Sequence, residues 1–547
     1  MDHIALGVMR HALAGVAEEM STALVRTAYS PNIKERRDCS CALFDPQGQL
    51  VAQAENIPVH LGAMPFSVRA AMDAVSAWSP GDVVVLNDPF RGGAHLPDIT
   101  FVAPAFAGGE LVGFAAARAH HADVGGMTPG SLPAAAAEIY QEGLVLPPVL
   151  LWRRGELVGD LLSVILANVR TPREREGDLR AQRAAVETGI RRLLALVQRF
   201  GREVVLSAYQ ALMDYAELRM RAAVRAAPAG QYTFTDVLDE GVEISVRVDI
   251  EADEVTVDFA GSSPQVNLPV NAPLAVTASA VYFALRAVLD PDVPANAGAW
   301  RPVHILAPPG TVTHARPPAA VGGGNLELSQ RIVDVVLGAL AQAMPDRVPA
   351  ASQGTMNNLT VGGLDPRSGE PYTFYETIGG GYGARPNRDG VDGVHAHMTN
   401  TWNTPVEALE QAYPLRVERY ELRPGSGGEG RFRGGLGICR QLRVVGHWAR
   451  ASLLADRRRG RPYGLAGGRP GAPGEDSLQG PSGVAPLPAK ATVDVPPGGV
   501  ITIRTPGGGG HGPPQRRAPE LRERDVREGK VPAAAQPSAA PPNTDLR

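Results

Sequence analysis

The chain is poor in lysine and cysteine and lacks long apolar runs. Only Lys34, Lys490 and Lys530 are lysines, the other basic residues being arginine, which argues against a lysine Schiff base or a phosphate-loop lysine. Three cysteines without a C-x-x-C pair exclude a disulfide framework and fit a reducing compartment. No apolar stretch is long enough for a transmembrane helix, and the N-terminus lacks the apolar region of a signal peptide. We therefore expect a cytoplasmic protein.

Charge and length further limit the classes of partner and the domain organisation that we expect. The 53 basic residues nearly balance the 57 acidic ones, which gives no electrostatic basis for a nucleic-acid or membrane partner. Apolar residues make up 44% of the chain, enough to bury a sizeable core. At 547 residues the chain is too long for one small domain.

Hydrophobic periodicity predicts a mixed α/β (α+β), multidomain fold. Residues 3–28 and most of 177–227 repeat at helical spacing, the latter with a break at Gly201, whereas 82–86 is a short apolar run typical of a buried strand. Residues 231–259 alternate with period two, which predicts an antiparallel meander. The predicted domains are an N-terminal α/β domain with a metal site (1–176), a long helical segment (177–228), a β-meander with helices (229–345), a Gly-rich mixed β domain (346–512), and a terminal segment with a disordered tail (513–547).

Two H-x-x-D units lie 25 residues apart, His95 with Asp98 and His120 with Asp123. Each follows a predicted strand in a loop with Gly and Pro, where a sheet can aim side chains at a common point. Imidazole and carboxylate groups bind Zn, Mn or Fe, and two histidines with one carboxylate leave positions open for water and substrate. The pattern predicts a catalytic metal site, with structural His/Asp pairs as the alternative. His121 would face away from His120 in an extended segment.

A charged run, Glu35-Arg36-Arg37-Asp38, separates the first predicted helix from the first strand. It could supply a general base or an arginine clamp for a carboxylate. The alternative is a solvated linker, since most mixed charge runs are exposed.

Further candidate ligands have weaker patterns. Cys39 and Cys41 would share one strand face and are expected to be buried thiols rather than zinc ligands. Glu376, His395 and His397 complete the candidates; the two histidines would lie on one side of a strand and could bind a second ion, although an H-x-H pair is usually structural.

Three glycine clusters occupy residues 322–329, 379–383 and 507–512. None is followed by Lys-Ser/Thr, and no G-x-G-x-x-G opens a helix after a strand, so we expect no ATP site in this chain. Turns are the predicted role of all three clusters.

Many separate motifs resemble the hydantoinase B family, which includes the C-terminal half of 5-oxoprolinase and the large (alpha) subunit of acetone carboxylase. The match extends to about residue 532 and carries the following motifs: NIKERRDCSCALFD (32–45), HLGAMP (60–65), NDPFRGGAHLPDIT (87–100), AHHADVGG (119–126), QEGLVLPPV (141–149), NVRTPREREGDLRAQ (168–182), GGGNLELSQRI (322–332), SQGTMNNLT (352–360), ETIGGGYGARP (376–386) and TPGGGGHG (505–512).

The resemblance implies a division of labour. A separate A-type ATPase subunit would bind ATP and phosphorylate the substrate, and the B-type chain, with a divalent metal (Mn, Zn or Fe), would complete the reaction in a hetero-oligomer. The family's metal ligands match His95, Asp98 and His120, and Asp123 would orient His120 or a water. Asp123, together with His121, Glu35 and Asp38, is a candidate catalytic residue, although the family role of Glu35 and Asp38 is unassigned.

The function implied is opening of a phosphorylated lactam or hydantoin ring by a metal-dependent B subunit. The free-standing chain resembles bacterial two-subunit systems. An acetone-type carboxylase and a non-catalytic scaffold for the ATPase subunit are the alternatives. The sequence does not choose among 5-oxoproline, a hydantoin and a ketone.

Overall fold

An antiparallel seven-stranded sheet, flanked by helices, forms the N-terminal part of the molecule. The computed structural model describes residues 3–54 and 56–532, and the predicted disordered tail lies outside them from residue 533 on. The elements of this part are α1 (His3–Thr27), α2 (Pro31–Lys34), β1 (Cys39–Phe44), β2 (Leu50–Gln53), α3 (Pro58–Leu61), α4 (Met64–Ala74), β3 (Val83–Leu86), β4 (Asp98–Ala107), β5 (Glu110–His120), β6 (Val149–Arg153), β7 (Glu156–Leu157) and α5 (Gly159–Ala167). The strand order is β2-β1-β5-β4-β3-β6-β7.

The central strands of this sheet are covered on both faces, which explains their continuous apolar runs. On one face, α1 buries Met9, Leu13, Met20 and Leu24 in a core shared with strand residues such as Phe101. On the other face, α4 packs against β3, β4 and β5. The helix predicted over 3–28 is therefore confirmed as α1, and its apolar spacing matches its buried face.

The register of β4 and β5 positions the predicted ligands. Asp98 begins β4, His120 ends β5, and the two residues are direct antiparallel partners. Directly opposed residues project from the same face of a sheet, so their side chains meet at one sheet end. His120 thus belongs to a strand and not, as predicted, to the loop that follows it.

Two long helices follow the sheet. They are α6 (Pro172–Phe200) and α7 (Arg202–Arg225), and the predicted break at Gly201 is confirmed. Gly201 has φ +87°, which a side chain would strain, so the helix ends there. α6 packs against α1 and β4, which places it over the sheet face that α1 also covers.

A second, four-stranded sheet carries two helices that share its core. Its strand order is β11-β10-β9-β8; β8 to β10 form the predicted meander, and β11 adds a parallel strand. The elements are β8 (Gly230–Val237), β9 (Glu243–Glu251), β10 (Glu254–Asp258), α8 (Leu274–Leu289), α9 (Ala297–Trp300), β11 (Val303–Leu306) and α10 (Ser329–Ala343), the last preceded by a π-helical turn over Gly324–Leu328.

Two further sheets form the C-terminal part. One has the strand order β13-β12-β16-β19 and the other β14-β15-β20-β17-β18. Their elements are β12 (Asn358–Leu364), β13 (Pro371–Glu376), α11 (Val406–Ala412), β14 (Leu415–Leu422), β15 (Ile438–Val444), β16 (Ala449–Leu454), β17 (Glu475–Gly480), β18 (Gly483–Leu487), β19 (Lys490–Val495), β20 (Val500–Arg504) and α12 (Pro519–Arg527).

The glycine clusters do not form turns, so that prediction is wrong. Segments from 379–383, 427–437, 464–471 and 507–512, which we call the glycine bundle, pack backbone against backbone. Gly508 N–H donates to the Gly435 carbonyl at 2.9 Å, and the Gly508 carbonyl accepts from Gly428 N–H at 2.8 Å. Glycine is needed here because a Cβ would collide with neighbouring main chain. The cluster at 322–329 is not a connecting turn either, since most of it is helical and contains the π-helical residues Gly324–Leu328.

Among the described residues, no helix combines the length and apolar character that crossing a bilayer requires.

Candidate metal centre

Three buried side chains converge where β4 begins and β5 ends. The His95 Nε2 atom lies 3.0 Å from Asp98 Oδ1, and His120 Nδ1 lies 3.2 Å from the same oxygen. The two imidazole nitrogens are 3.2 Å apart. In the described part of the chain this is the one cluster of His, Cys, Asp or Glu donors with metal-site spacing.

The donor spacing fits a divalent cation. With metal–ligand bonds of about 2.1 Å, adjacent donors in a tetrahedral or octahedral site lie roughly 3.0–3.4 Å apart. Three acceptor atoms this close repel one another unless protons or a cation lie between them. His95, Asp98 and His120 therefore have the geometry and the donor chemistry to hold Mn, Zn or Fe.

The protonation states also suit metal binding. Burial alone would raise the pKa of the Asp98 carboxyl, but the His95 and His60 imidazoles, with a hydrogen bond to His120, hold that pKa well below its usual value. Burial lowers the pKa of His120. These directions favour an ionised Asp98 carboxylate and a neutral His120 imidazole, which are the forms that bind metals.

The segment before β1 holds the main chain of His120 on both sides. Asn32 Nδ2 donates to the His120 carbonyl at 2.6 Å, and the His120 N–H donates to the Asp38 carbonyl at 3.0 Å. Asp38 is buried, and its charge acts on His120. Within the described residues its carboxylate makes no hydrogen bond, so it remains available to a substrate or a water.

Arg36 connects this segment to the C-terminal sheets. Its guanidinium donates to the Tyr375 carbonyl at 2.7 Å and to Thr377 and Thr401 hydroxyls. The Tyr375 ring in turn stacks on the His120 ring, with centroids 4.4 Å apart. Because Arg36 and Asp38 are buried, the solvated-linker alternative does not describe them.

The other predicted catalytic residues lie outside the triad. His121 Nε2 bonds Gln182 on α6 at 2.8 Å, so its ring points away from His120. Asp123 accepts hydrogen bonds from the N–H groups of Gly125 and Gly130 and pairs with Arg170 at 2.9 Å.

Asp123 was expected to orient His120 or a water. The contact with His120 is absent from the described hydrogen bonds, where the Asp123 carboxylate organises the loop after β5, and the orientation of a water stays a prediction. Glu35 ends α2 and is half-buried.

The remaining candidates have separate structural partners. Cys39 and Cys41 are buried free thiols, as predicted. Glu376 pairs with Arg440 through two contacts of 3.0 and 3.2 Å. His397 bonds Asp334 and His395 bonds Thr401, so within the described chain these two histidines do not form a second metal cluster.

A buried chain of polar groups that sequence reasoning missed leads to His120. Glu327, in the π-helical turn, accepts from Asn358 Nδ2 at 3.0 Å, and Asn358 accepts from the Tyr375 hydroxyl at 3.1 Å. Tyr375 is the residue that stacks on His120. π-Helical turns are frequent at functional sites, but the Gly-Gly-Gly-Asn pattern before Glu327 gave no signal for this contact.

Replacing Glu327 with glutamine should change how stability depends on pH. Burial raises the pKa of Glu327 from 4.5 to about 7, so the folded chain binds this proton more tightly than the unfolded chain. Wild-type stability should therefore fall as pH rises from about 5 through 7. In thermal unfolding from pH 5 to 8.5, the Tm of Glu327→Gln relative to wild type should increase with pH. Exposed Glu523→Gln is the control, and a pH-independent difference for Glu327→Gln would contradict this assignment.

Comparison with known proteins gives matches over nearly the whole chain. The family model described as Hydantoinase B/oxoprolinase matches residues 2–514. The 5-oxoprolinase 1 of Arabidopsis thaliana is 39% identical over 93% of this chain and 42% of that protein. The chain thus spans about two fifths of the length of this curated relative.

Two solved structures share the fold. The crystal structure of the ATP-dependent caprolactamase from Pseudomonas jessenii matches with a TM-score of 0.91 and 33% identity, covering 97% of this chain and 94% of that one. The nucleotide-free structure of acetone carboxylase matches with a TM-score of 0.87 and 20% identity, over 97% of this chain and 78% of the other. The predicted mixed α/β, multidomain fold is confirmed.

Proposed function

The chain belongs to the hydantoinase B/oxoprolinase family, and from this premise we propose that it is the metal-dependent B component of an ATP-dependent cyclic-amide hydrolase. The observation that carries the proposal is the convergence of His95, Asp98 and His120 donor atoms within 3.2 Å of one another. The names of two similar proteins, an ATP-dependent caprolactamase and a 5-oxoprolinase, support a lactam as substrate, and the name of the family supports a hydantoin. ATP would be used by an A-type ATPase subunit.

The reaction we propose starts from a ring amide activated as an O-phosphorylated imidate. Water adds to the imidate carbon, the ring C–N bond breaks, and the nitrogen takes a proton to leave as an amine. The resulting acyl phosphate is hydrolysed by a second water to a carboxylate and phosphate. A divalent cation at the triad would supply Lewis-acid chemistry toward an oxygen of the substrate or a water.

The residues of the chain would position and deprotonate the reactants. Asp38 is our candidate base for the attacking water, because its buried carboxylate lies near His120 without a hydrogen-bonding partner among the described residues. Tyr375 fixes the ring of His120 by stacking. Glu35, His121 and Asp123 remain candidates for supporting roles, with Asp123 holding the loop after β5.

The test is a reconstitution of this chain with an A-type ATPase subunit and Mn²⁺. We expect ATP-dependent formation of the ring-opened amino acid from 5-oxoproline, a hydantoin or caprolactam, with phosphate released in equal amount. Omitting ATP, metal or either subunit should remove product. Product from acetone and bicarbonate but from no cyclic amide would contradict the proposal in favour of a carboxylase, and activity without metal would contradict the role of the triad.

A further inference from the structure

A third histidine, His60, lies beside the metal centre and belongs to neither H-x-x-D unit. It is on α3 and only 1% exposed. Its Nε2 atom lies 3.4 Å from Asp98 Oδ2, and its Nδ1 atom lies 3.0 Å from the Ser40 hydroxyl oxygen. His60 therefore bridges β1 and β4 at the end of the sheet that carries the ligands.

Asp98 uses its two carboxylate oxygens differently. Oδ1 faces both His95 and His120, at 3.0 and 3.2 Å. Oδ2 lies 3.4 Å from His60 Nε2 and makes no hydrogen bond within the described residues. The separation of 3.4 Å from Nε2 is longer than a typical N–H···O hydrogen bond. The contact is therefore an electrostatic one that a small shift of Asp98 would turn into a hydrogen bond.

The two contacts of His60 together favour a proton on Nε2, because the Asp98 carboxylate can only accept a hydrogen bond whereas the Ser40 hydroxyl can donate one to Nδ1. A hydroxyl can donate to Nδ1, and a neutral imidazole that accepts at Nδ1 carries its proton on Nε2. An Nε2–H group facing Oδ2 attracts that oxygen, whereas a metal-binding His60 would need a free lone pair there. This arrangement favours a role for His60 in positioning Asp98, rather than a role as a fourth metal ligand.

The backbone around His60 is fixed by other parts of the chain. Val59 N–H donates to the Met398 carbonyl at 3.2 Å. Gly62 lies against α8 so closely that a Cβ there would come within 2.6 Å of Ser279 Cα. α3 therefore cannot shift freely, and the imidazole of His60 is held in place before any ligand binds.

We propose that His60 is a positioning residue that holds Asp98 Oδ2, so that Oδ1 alone is presented to the cation. The proposal rests on the metal site of the proposed function. Groups that hydrogen-bond to metal ligands typically account for roughly 10–100-fold in metal affinity. Removing the His60 contact should cost a loss of this size without removing a ligand.

The test is a Mn²⁺ titration of the full metal-free chain, followed by electron paramagnetic resonance. We expect His60→Leu to weaken Mn²⁺ binding roughly 10–100-fold. His60→Gln, whose amide N–H can replace Nε2–H, should recover most of the affinity. Ser40→Ala should weaken binding less than His60→Leu. The exposed His304→Gln should bind Mn²⁺ as wild type does.

Pulsed electron paramagnetic resonance spectra of the bound Mn²⁺ distinguish a positioning role of His60 from direct binding of the cation by its imidazole. We expect couplings to two imidazole nitrogens in wild type and the same two in His60→Gln. Wild-type affinity in His60→Leu, or loss of a nitrogen coupling in His60→Gln, would overturn the inference while leaving the proposed function intact. Absence of Mn²⁺ binding in wild type would instead refute the metal site itself. If His60→Leu fails to fold, His60→Gln and Ser40→Ala still decide the question.

Discussion

Replacing His95 with alanine is expected to weaken cation binding by more than 100-fold and to abolish ATP-dependent ring opening. His95 supplies one of three converging donors, and its Nε2 atom lies 3.0 Å from Asp98 Oδ1 and 3.2 Å from His120 Nδ1. Even changes outside the ligand set cost roughly 10–100-fold in metal affinity, so loss of a ligand should cost more. Metal content after dialysis and product formation in the reconstituted complex are the measurements.

The His95 variant needs a control that separates ligand loss from unfolding. His304→Ala removes an exposed imidazole that pairs with Glu254 on the second sheet, and it should keep both metal and activity. Circular dichroism and Tm should show His95→Ala to be folded. A folded His95→Ala protein with undiminished metal and activity would rule out the assigned ligand set.

Replacing Gly434 with alanine is expected to lower the free energy of unfolding strongly. An added Cβ would collide with the Gly508 carbonyl oxygen and lie 2.8 Å from the Gly509 oxygen, both of them main-chain atoms. Overpacking against side chains typically costs 1–3 kcal/mol, and main chain yields less readily, so we expect a loss of about 3 kcal/mol or more. Soluble yield and Tm should both fall, because the glycine bundle joins four separate segments.

Gly15→Ala is the matched control for the glycine bundle. Gly15 lies within α1, and a Cβ there would meet no atom within 4 Å. Alanine favours helix over glycine by about 1 kcal/mol, so this variant should be as stable as wild type or slightly more so. Equal Tm values for Gly434→Ala and Gly15→Ala would contradict the role assigned to the bundle.

The spacing of the two H-x-x-D units predicted a metal site, and the family resemblance assigned its ligands to His95, Asp98 and His120. Two H-x-x-D units after predicted strands already implied a common point, and the β4–β5 register then brought Asp98 opposite His120. The register itself could not be read from the sequence, and the expectation that Asp123 orients His120 or a water came from the family resemblance. In the structure Asp123 holds Gly125 and Gly130.

Residues that reach the site from distant segments carried no comparable signal. His60 belongs to a helix of four residues, and Tyr375 approaches His120 from the C-terminal sheets. Such contacts depend on how the sheets pack, which periodicity does not encode. The glycine clusters were misread for a similar reason: local rules associate glycine with turns, whereas here the requirement for glycine comes from other segments, such as Gly508 against Gly435.

Anomalous X-ray diffraction from crystals grown with Mn²⁺, recorded on both sides of the manganese absorption edge, would show directly whether the triad binds a cation. We expect one strong peak within bonding distance of His95 Nε2, Asp98 Oδ1 and His120 Nδ1, with His60 outside bonding distance. An empty triad, or a peak confined to another part of the chain, would contradict this expectation.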